Sequence, residues 1–230
     1  MIIDTNFDFY SEVNKGEDPD SKSPTLKKYH KILWSKSLPN GKTFELSDNK
    51  SNAYLYHNSK LGEFFLGSDA ITHSYKNQKG KKDVIKQIPK TVDELFNASS
   101  TIGAYIIFPN KQIHGKPTIN QARGVNSFID DRFDLTLECI RLFYLGQKSP
   151  LYDTLLRYKD FFEVFENFND YIQFFLLEDL LDENKKIKFY LPFDNFKSPP
   201  TLDTDQYITY AKRVINFIES RNRRIENYIK

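Results

Sequence analysis

The sequence predicts an α+β fold, with an antiparallel-rich sheet in the N-terminal half packed by several C-terminal helices. Residues 40–110 contain short runs of aromatic and β-branched side chains separated by turn formers, whereas residues 127–230 show helical periodicity. We find no internal repeat, and no linker is long enough to separate domains. Residues 1–230 are therefore expected to form a single domain, strand-rich first and helix-rich afterwards.

The first element predicted is a helix that begins at Ser23 and Pro24 and runs to about Lys36. Serine is a favoured N-cap, and proline is favoured at the first helical position. The preceding segment, GEDPDS at 16–21, is full of turn formers. Its Asp18 and Asp20 do not continue into a calcium-binding loop, so we interpret them as a solvated turn.

The strand-rich part is predicted to be an antiparallel meander over residues 43–75, since its apolar runs are short and its connection NSKLG contains glycine. Thr91, followed three places later by Glu94, indicates the capping box of a short helix. The apolar run TIGAYIIFP at 101–109 is typical of a buried central strand.

The helix-rich part is predicted to contain one helix at 128–145 and a final helix at 204–229. Residues 151–182 are expected to form one long helix, or two broken near Asn167. Between residues 182 and 204, the segment KIKFYLP at 186–192 is interpreted as a strand that returns to the sheet and joins the strand-rich and helix-rich halves into one domain.

Composition limits the classes of function. The formal net charge of +2 gives no global attraction to nucleic acid or membranes. The only cysteine, Cys139, excludes an intramolecular disulfide and a cysteine-based zinc site, which favours a reducing, cytoplasmic compartment. No apolar run reaches 18 residues, so we predict no membrane span. No Walker loop, GxGxxG or GxSxG motif occurs, and no cofactor is expected.

The stretch TINQARGVNSFIDDRFDLTLECIR at 118–141 is unusually charged for a segment with so many apolar residues. On a helical wheel, Asp131, Asp134, Glu138 and Arg141 form a narrow strip between two apolar walls. The strip is either the exposed edge of a buried helix or the lining of a cleft with paired, desolvated charges.

Arginine supplies the candidate phosphate-binding groups, because its planar fork matches phosphate oxygens. All eight arginines lie at or after position 123, and we select Arg123, Arg132 and Arg141. The candidate acid–base groups are His57, His73 and Glu138. No HxH or HxxxH spacing supports a metal site.

Two basic clusters could contact a nucleic acid backbone: KNQKGKKD at 76–83 and ESRNRRIENYIK at 219–230. The alternative is a solubilising loop and a cationic helix end that complements its own dipole.

Residues 23–46 and 118–141 resemble stretches of an uncharacterised bacterial family, a domain of unknown function. The resemblance implies a bacterial or phage-borne cytosolic protein and says nothing about mechanism.

Two functions remain open. The first is an enzyme of the toxin or defence type that acts on nucleic acid or a nucleotide through the arginine and carboxylate strip. The second is a non-catalytic module that binds a protein partner through an aromatic-rich surface.

Overall fold

The computed structural model describes residues 3–72, 81–197 and 203–230. His73 and residues 76–80 of the first basic cluster lie outside these ranges. The elements form an α+β arrangement, which confirms the predicted fold class.

The N-terminal segment contains a 3₁₀ turn at Phe9–Glu12 and two helices, α1 (Pro19–Lys22) and α2 (Pro24–Trp34). Ser23 caps α2 by accepting a hydrogen bond from the backbone N–H of Leu26, and Pro24 occupies the first turn, as predicted. Asp18 caps α1 in the same way, because its side chain accepts from the backbone N–H of Asp20 at 3.1 Å.

The strands form two antiparallel sheets. Strands β1 (Lys36–Ser37) and β2 (Thr43–Phe44) pair with each other, and β3 (Leu55–Ser59), β4 (Gly62–Ala70) and β5 (Tyr105–Pro109) pair in that order. The meander is confirmed, but the prediction that β5 is central was wrong, because β4 occupies the middle. All five β5 residues are nevertheless buried, since helices cover this edge.

The remaining helices follow in chain order: α3 (Lys82–Lys86), α4 (Pro89–Ser99), α5 (Ile119–Val125), α6 (Phe133–Tyr144), α7 (Tyr152–Arg157), α8 (Lys159–Phe162), α9 (Phe168–Phe174) and α10 (Thr204–Tyr228). Two 3₁₀ turns, at Ile102–Ala104 and Glu178–Leu180, precede β5 and follow α9. Asn167 caps α9, which agrees with the predicted break at that residue, but the prediction of one or two helices over 151–182 was wrong, because three short helices and a 3₁₀ turn form there.

Two predicted helix starts were misplaced. Helix α6 begins at Phe133 rather than 128, because Asp130 and Asp131 adopt left-handed backbone angles, with φ of 49° and 57°. Helix α4 begins at Pro89, so Thr91 lies inside its first turn and does not cap it. The capping box that does form joins Thr118 and Gln121 at the start of α5.

The segment KIKFYLP does not return to the sheet, which corrects the predicted strand. It forms only an isolated bridge between Leu181 and Ile187. Its later backbone groups bond to side chains instead: the N–H of Tyr190 donates to Asp134 at 2.8 Å, and the carbonyls of Phe189 and Tyr190 accept from Arg213 at 3.0 and 3.1 Å. Side chains thus form the hydrogen bonds that a neighbouring strand would otherwise have formed with these backbone groups.

The core is one hydrophobic cluster that draws residues from Ile3 to Ile225. Arg221 of α10 is fully buried within it and donates to the carbonyls of Phe175, Gly103 and Tyr105 at 2.8–3.3 Å. A Cβ on Gly103 would stand 2.5 Å from the carbonyl oxygen of Ile218, so glycine is needed for α10 to pack this closely.

Candidate functional site

A polar cleft lies where α1, the start of α2, β4 and the segment after β5 meet. Its wider part has a volume of about 640 Å³, and a second part of about 450 Å³ continues between β4 and the start of α5. Four residues line both parts: Gly67, Ser68, Asn110 and Asn120. We call the two parts together the polar cleft.

Asp20 is one of the acids that line the cleft. The short helix α1, begun by Asp18 and Pro19, packs against β4, where the hydroxyl of Ser68 donates to the carboxyl of Asp20. Burial raises the pKa of Asp20 to about 8, and the nearby charge of Asp69 adds to this, while the Ser68 hydrogen bond opposes it. Asp20 is therefore a protonated, neutral acid at neutral pH.

Tyr54 forms a wall of the cleft next to this acid. Its hydroxyl lies 3.4 Å from Nδ1 of His30, and Nζ of Lys27 lies 5.7 Å from its ring centroid. Burial raises the pKa of the Tyr54 phenol, and burial lowers the pKa of His30 to about 3. Both side chains are thus neutral, so the positive charge on this side of the cleft comes from lysine.

Asn110 presents its amide to both parts of the cleft because β4 carries a glycine opposite it. A Cβ on Gly67 would stand 2.5 Å from Nδ2 of Asn110, closer than real side chains approach. Gly67 therefore leaves the space in which the Asn110 side chain lies.

In the wall of the second part of the cleft, Asp69 forms a buried ion pair with Arg123 of α5. The Arg123 guanidinium also donates through Nε to the Thr136 hydroxyl at 2.9 Å, and Nη2 lies 3.4 Å from a carboxylate oxygen of Asp131. Burial raises the pKa of Asp69 to about 6, although the charge of Arg123 lowers it, so Asp69 is mostly ionised at neutral pH. Arg123 thus holds the wall of the cleft, and protein atoms occupy its donors.

The strip on α6 is built differently from both predicted arrangements. Asp134 is fully buried and accepts two hydrogen bonds from the equally buried Arg132, at 3.1 and 2.5 Å. Glu138 is 8% exposed and accepts two from Arg141, at 2.8 and 2.7 Å. Of the predicted phosphate-binding arginines, only Arg141 has a side chain that is substantially exposed, at 33%. These charges hold each other within the fold and are absent from the lining of the polar cleft.

His57 is likewise held by the protein. Its ring stacks on Phe44 with centroids 4.2 Å apart, Nδ1 donates to the carbonyl of Glu45 at 2.7 Å, and Nε2 accepts from the hydroxyl of Ser59 at 2.8 Å. Burial lowers the pKa of His57, which keeps the ring neutral. His73, the other predicted acid–base histidine, lies outside the described residues.

The second basic cluster also has intramolecular roles. Arg221 is buried against backbone carbonyls, Arg223 donates to Ser220 at 2.9 Å, and Arg224 donates to Asp179 at 2.8 and 2.9 Å. A cavity of about 530 Å³ lies beside α10. Two of its lining residues, Arg213 and Lys188, donate hydrogen bonds to backbone carbonyls.

The aromatic side chains are concentrated in the core. Among the described residues, the phenylalanines, tyrosines and tryptophan that are markedly exposed are Phe96, Phe128 and Tyr228, which lie on separate segments. No helix within the described ranges is long and apolar enough to cross a membrane. The same residues contain no group of three or more His, Cys, Asp or Glu side chains placed to hold a metal ion.

Sequence reasoning missed the polar cleft because its members are scattered from Asp18 to Gln121 and belong to no motif. Asp20 was interpreted as part of a solvated turn. The available signal was the pairing of Asp18 with Pro19, which indicates a helix start that fixes the direction of Asp20.

A family model described as a family of unknown function (DUF6994) matches residues 3–225. No curated protein and no solved structure matches the chain.

Proposed function

Because the chain belongs to this family of unknown function, we propose a function from the geometry of the polar cleft. The protein binds a phosphorylated, hydroxyl-bearing small molecule of the nucleotide class there, and Asp20 donates a proton to it. The observation that carries the proposal is the Asp20 carboxyl, held by Ser68 inside a cleft whose lining includes Lys22 and Lys27.

The size and lining of the cleft support a ligand of this class. Its wider part, about 640 Å³, lies within the range of roughly 300–1,000 Å³ that small-molecule sites occupy. Within the described part of the chain, neither Lys22 nor Lys27 forms an ion pair, so both ammonium groups can receive phosphate oxygens. The amides of Asn110 and Asn120 can bond to hydroxyl groups or to the edge of a base, and the Tyr54 ring offers a face for stacking.

The neutral state of Asp20 supports the role of proton donor. A general acid must be protonated at the working pH and within hydrogen-bond reach of the group that it protonates. The pKa of Asp20, near 8, supports the first condition at neutral pH, and its place in the cleft lining supports the second. The reaction belongs to the class of hydrolyses in which water attacks as the bond breaks, the leaving oxygen or nitrogen takes the proton of Asp20, and the water returns a proton to Asp20.

We also propose a reducing cytosolic setting, since the single cysteine, Cys139, is buried in the core and has no partner for a disulfide. A bacterial or phage source stays a prediction that rests on the resemblance. A toxin or defence role stays a prediction that rests on a nucleotide-class ligand.

Calorimetric titration with AMP, ADP, adenosine and inorganic phosphate tests the binding. We expect AMP or ADP to bind more tightly than adenosine, and Lys27→Ala to weaken nucleotide binding by about tenfold or more, as the loss of one phosphate contact implies. Lys60→Ala is the matched control, because Lys60 lies on the exposed β3–β4 turn, about 20 Å along the strand from Ser68. No binding of any probe at millimolar concentration, or equal losses in the two variants, would contradict the proposal.

The role of Asp20 is tested separately from binding. Asp20→Asn keeps the shape and neutrality of the acid but removes its transferable proton. We expect this variant to bind the same nucleotide within about threefold and to lose product formation, followed by chromatography of the reaction mixture. Equal product formation by Asp20→Asn and the unaltered protein would remove Asp20 from the mechanism and leave the binding site standing.

A further inference from the structure

The amine of Lys36 lies in a cage of three aromatic rings, and Lys36 is not among the residues that line the polar cleft. Its Nζ is 5.0 Å from the ring centroid of Trp34, 4.8 Å from that of Phe174 and 4.4 Å from that of Tyr228. Trp34 ends α2, Phe174 ends α9, and Tyr228 ends α10, so three helix ends meet around the one amine.

Lys36 differs from the buried arginines because no oxygen acceptor is bonded to its charged group. Arg123 and Arg132 each form an ion pair, and Arg221 donates to backbone carbonyls. Across residues 3–72, 81–197 and 203–230, no ion pair and no hydrogen bond to Nζ of Lys36 is present.

Two effects act on the charge of this amine in opposite directions. The ring faces attract an ammonium group, by about 0.5–2 kcal/mol where the site is desolvated. Removal from water disfavours the same ammonium group and can outweigh that attraction. Burial lowers the pKa of Lys36 to about 7, the charge of Glu178 opposes this shift, and the charge of Arg221 adds to it. Glu178 is itself partly neutralised by Arg224, whose Nε lies 3.4 Å away.

We propose that Lys36 is a nucleophilic amine and the preferred site at which this protein is acylated by thioester donors. A neutral amine carries the lone pair that an ammonium group lacks, and a lysine desolvated in an apolar pocket is one of the established ways to obtain it. Acylation also removes the charge that burial disfavours, since an acylated lysine is neutral.

The acylation needs only the Lys36 amine and the thioester. The lone pair on Nζ attacks the thioester carbonyl carbon, so that a carbon–nitrogen bond forms as the carbon–sulfur bond breaks. The sulfur leaves as a thiolate with the bonding electrons, and the proton lost by nitrogen passes to that thiolate. The products are an amide at Lys36 and a free thiol.

Competitive labelling measures the reactivity of each lysine in the intact protein. The protein is treated with trace acetic anhydride between pH 5 and 11, unfolded, and labelled completely with deuterated anhydride, after which mass spectrometry gives the extent of the first reaction at each lysine. We expect Lys36 to reach half its maximal reactivity near pH 7, where an ordinary lysine amine is almost wholly protonated. With acetyl coenzyme A at pH 7.5, Lys36 should be acetylated at least about tenfold faster than the exposed Lys60.

Two variants of Tyr228 test whether the cage causes this reactivity. The side chain is half exposed in the last turn of α10, so its truncation leaves the core intact. Tyr228→Ala admits water and should raise the midpoint and slow acetylation at pH 7.5, whereas Tyr228→Phe keeps the ring and should change neither. Slow labelling of Lys36 at every pH would mean that the rings shield the amine, and it would overturn the proposal. A midpoint above pH 9, or no effect of Tyr228→Ala, would overturn it as well.

Discussion

Replacing Arg123 with methionine removes the cation that faces Asp69 and keeps most of the apolar stem. The two side chains are 1% and 7% exposed, so the remaining carboxylate stays in a site that water scarcely reaches. Removing one partner of such a buried pair costs about 3–5 kcal/mol of unfolding free energy. Arg224→Met is the matched control, because Arg224 forms a similar two-bonded pair with Asp179 in which the side chains are 34% and 28% exposed, and its loss should cost about 0–1 kcal/mol.

The loss should depend on pH. Arg123 lowers the pKa of Asp69, so in the variant this pKa rises above its present value of about 6. Asp69 is then neutral at pH 5 and needs no cation, and the difference in stability from the unaltered protein should be smaller at pH 5 than at pH 8. Urea unfolding at both pH values, followed by the fluorescence of the buried Trp34, measures it. Equal losses for Arg123→Met and Arg224→Met at pH 8 would refute the reasoning.

Three further results are expected. The pKa of Asp20 is raised in the folded state, so its contribution to stability is greatest below about pH 4 and is lost as pH rises towards 8. At pH 8 the urea midpoint of unfolding should therefore be higher for Asp20→Asn than for the unaltered protein. The difference between the two midpoints should become smaller towards pH 5. Gly103→Ala should cost about 1–3 kcal/mol in the same assay, since the new methyl would press on the Ile218 carbonyl; an unchanged midpoint would mean that α10 shifts freely. Burial raises the pKa of Cys139 to about 12, so iodoacetamide should alkylate it at pH 8 only after urea is added; rapid labelling of the folded protein would place the thiol outside the core.

Local patterns predicted the elements whose determinants lie close together in the chain. Ser23 and Pro24 marked the start of α2, and short apolar runs joined by the glycine-containing NSKLG marked the β3–β4 hairpin, because caps and turns act within a few residues. KIKFYLP had the composition of a strand, yet its partners proved to be Asp134 and Arg213, more than twenty residues away on either side. A pattern of neighbouring residues contains no information about hydrogen bonds to residues so far away in the sequence.

The same distinction applies to the candidate site. The charges at 131–141 stood out because they are adjacent in sequence, and most of them pair with one another. The polar cleft brings Asp20 to Ser68 across 48 positions, and Tyr54 to Asn120 across a longer interval. Three-dimensional proximity of ordinary polar residues leaves no mark in a single sequence.

The attachment of Arg221 to the Gly103 and Tyr105 carbonyls has a consequence for biosynthesis. Strand β5 borders the three-stranded sheet, and its outer side is closed in part by α10, the last helix of the chain. Until residues 204–228 have left the ribosome, a nascent chain exposes an apolar sheet border to its neighbours, which is a surface on which other strands can add. Chains released before residue 204 should therefore accumulate as aggregates or as clients of chaperones.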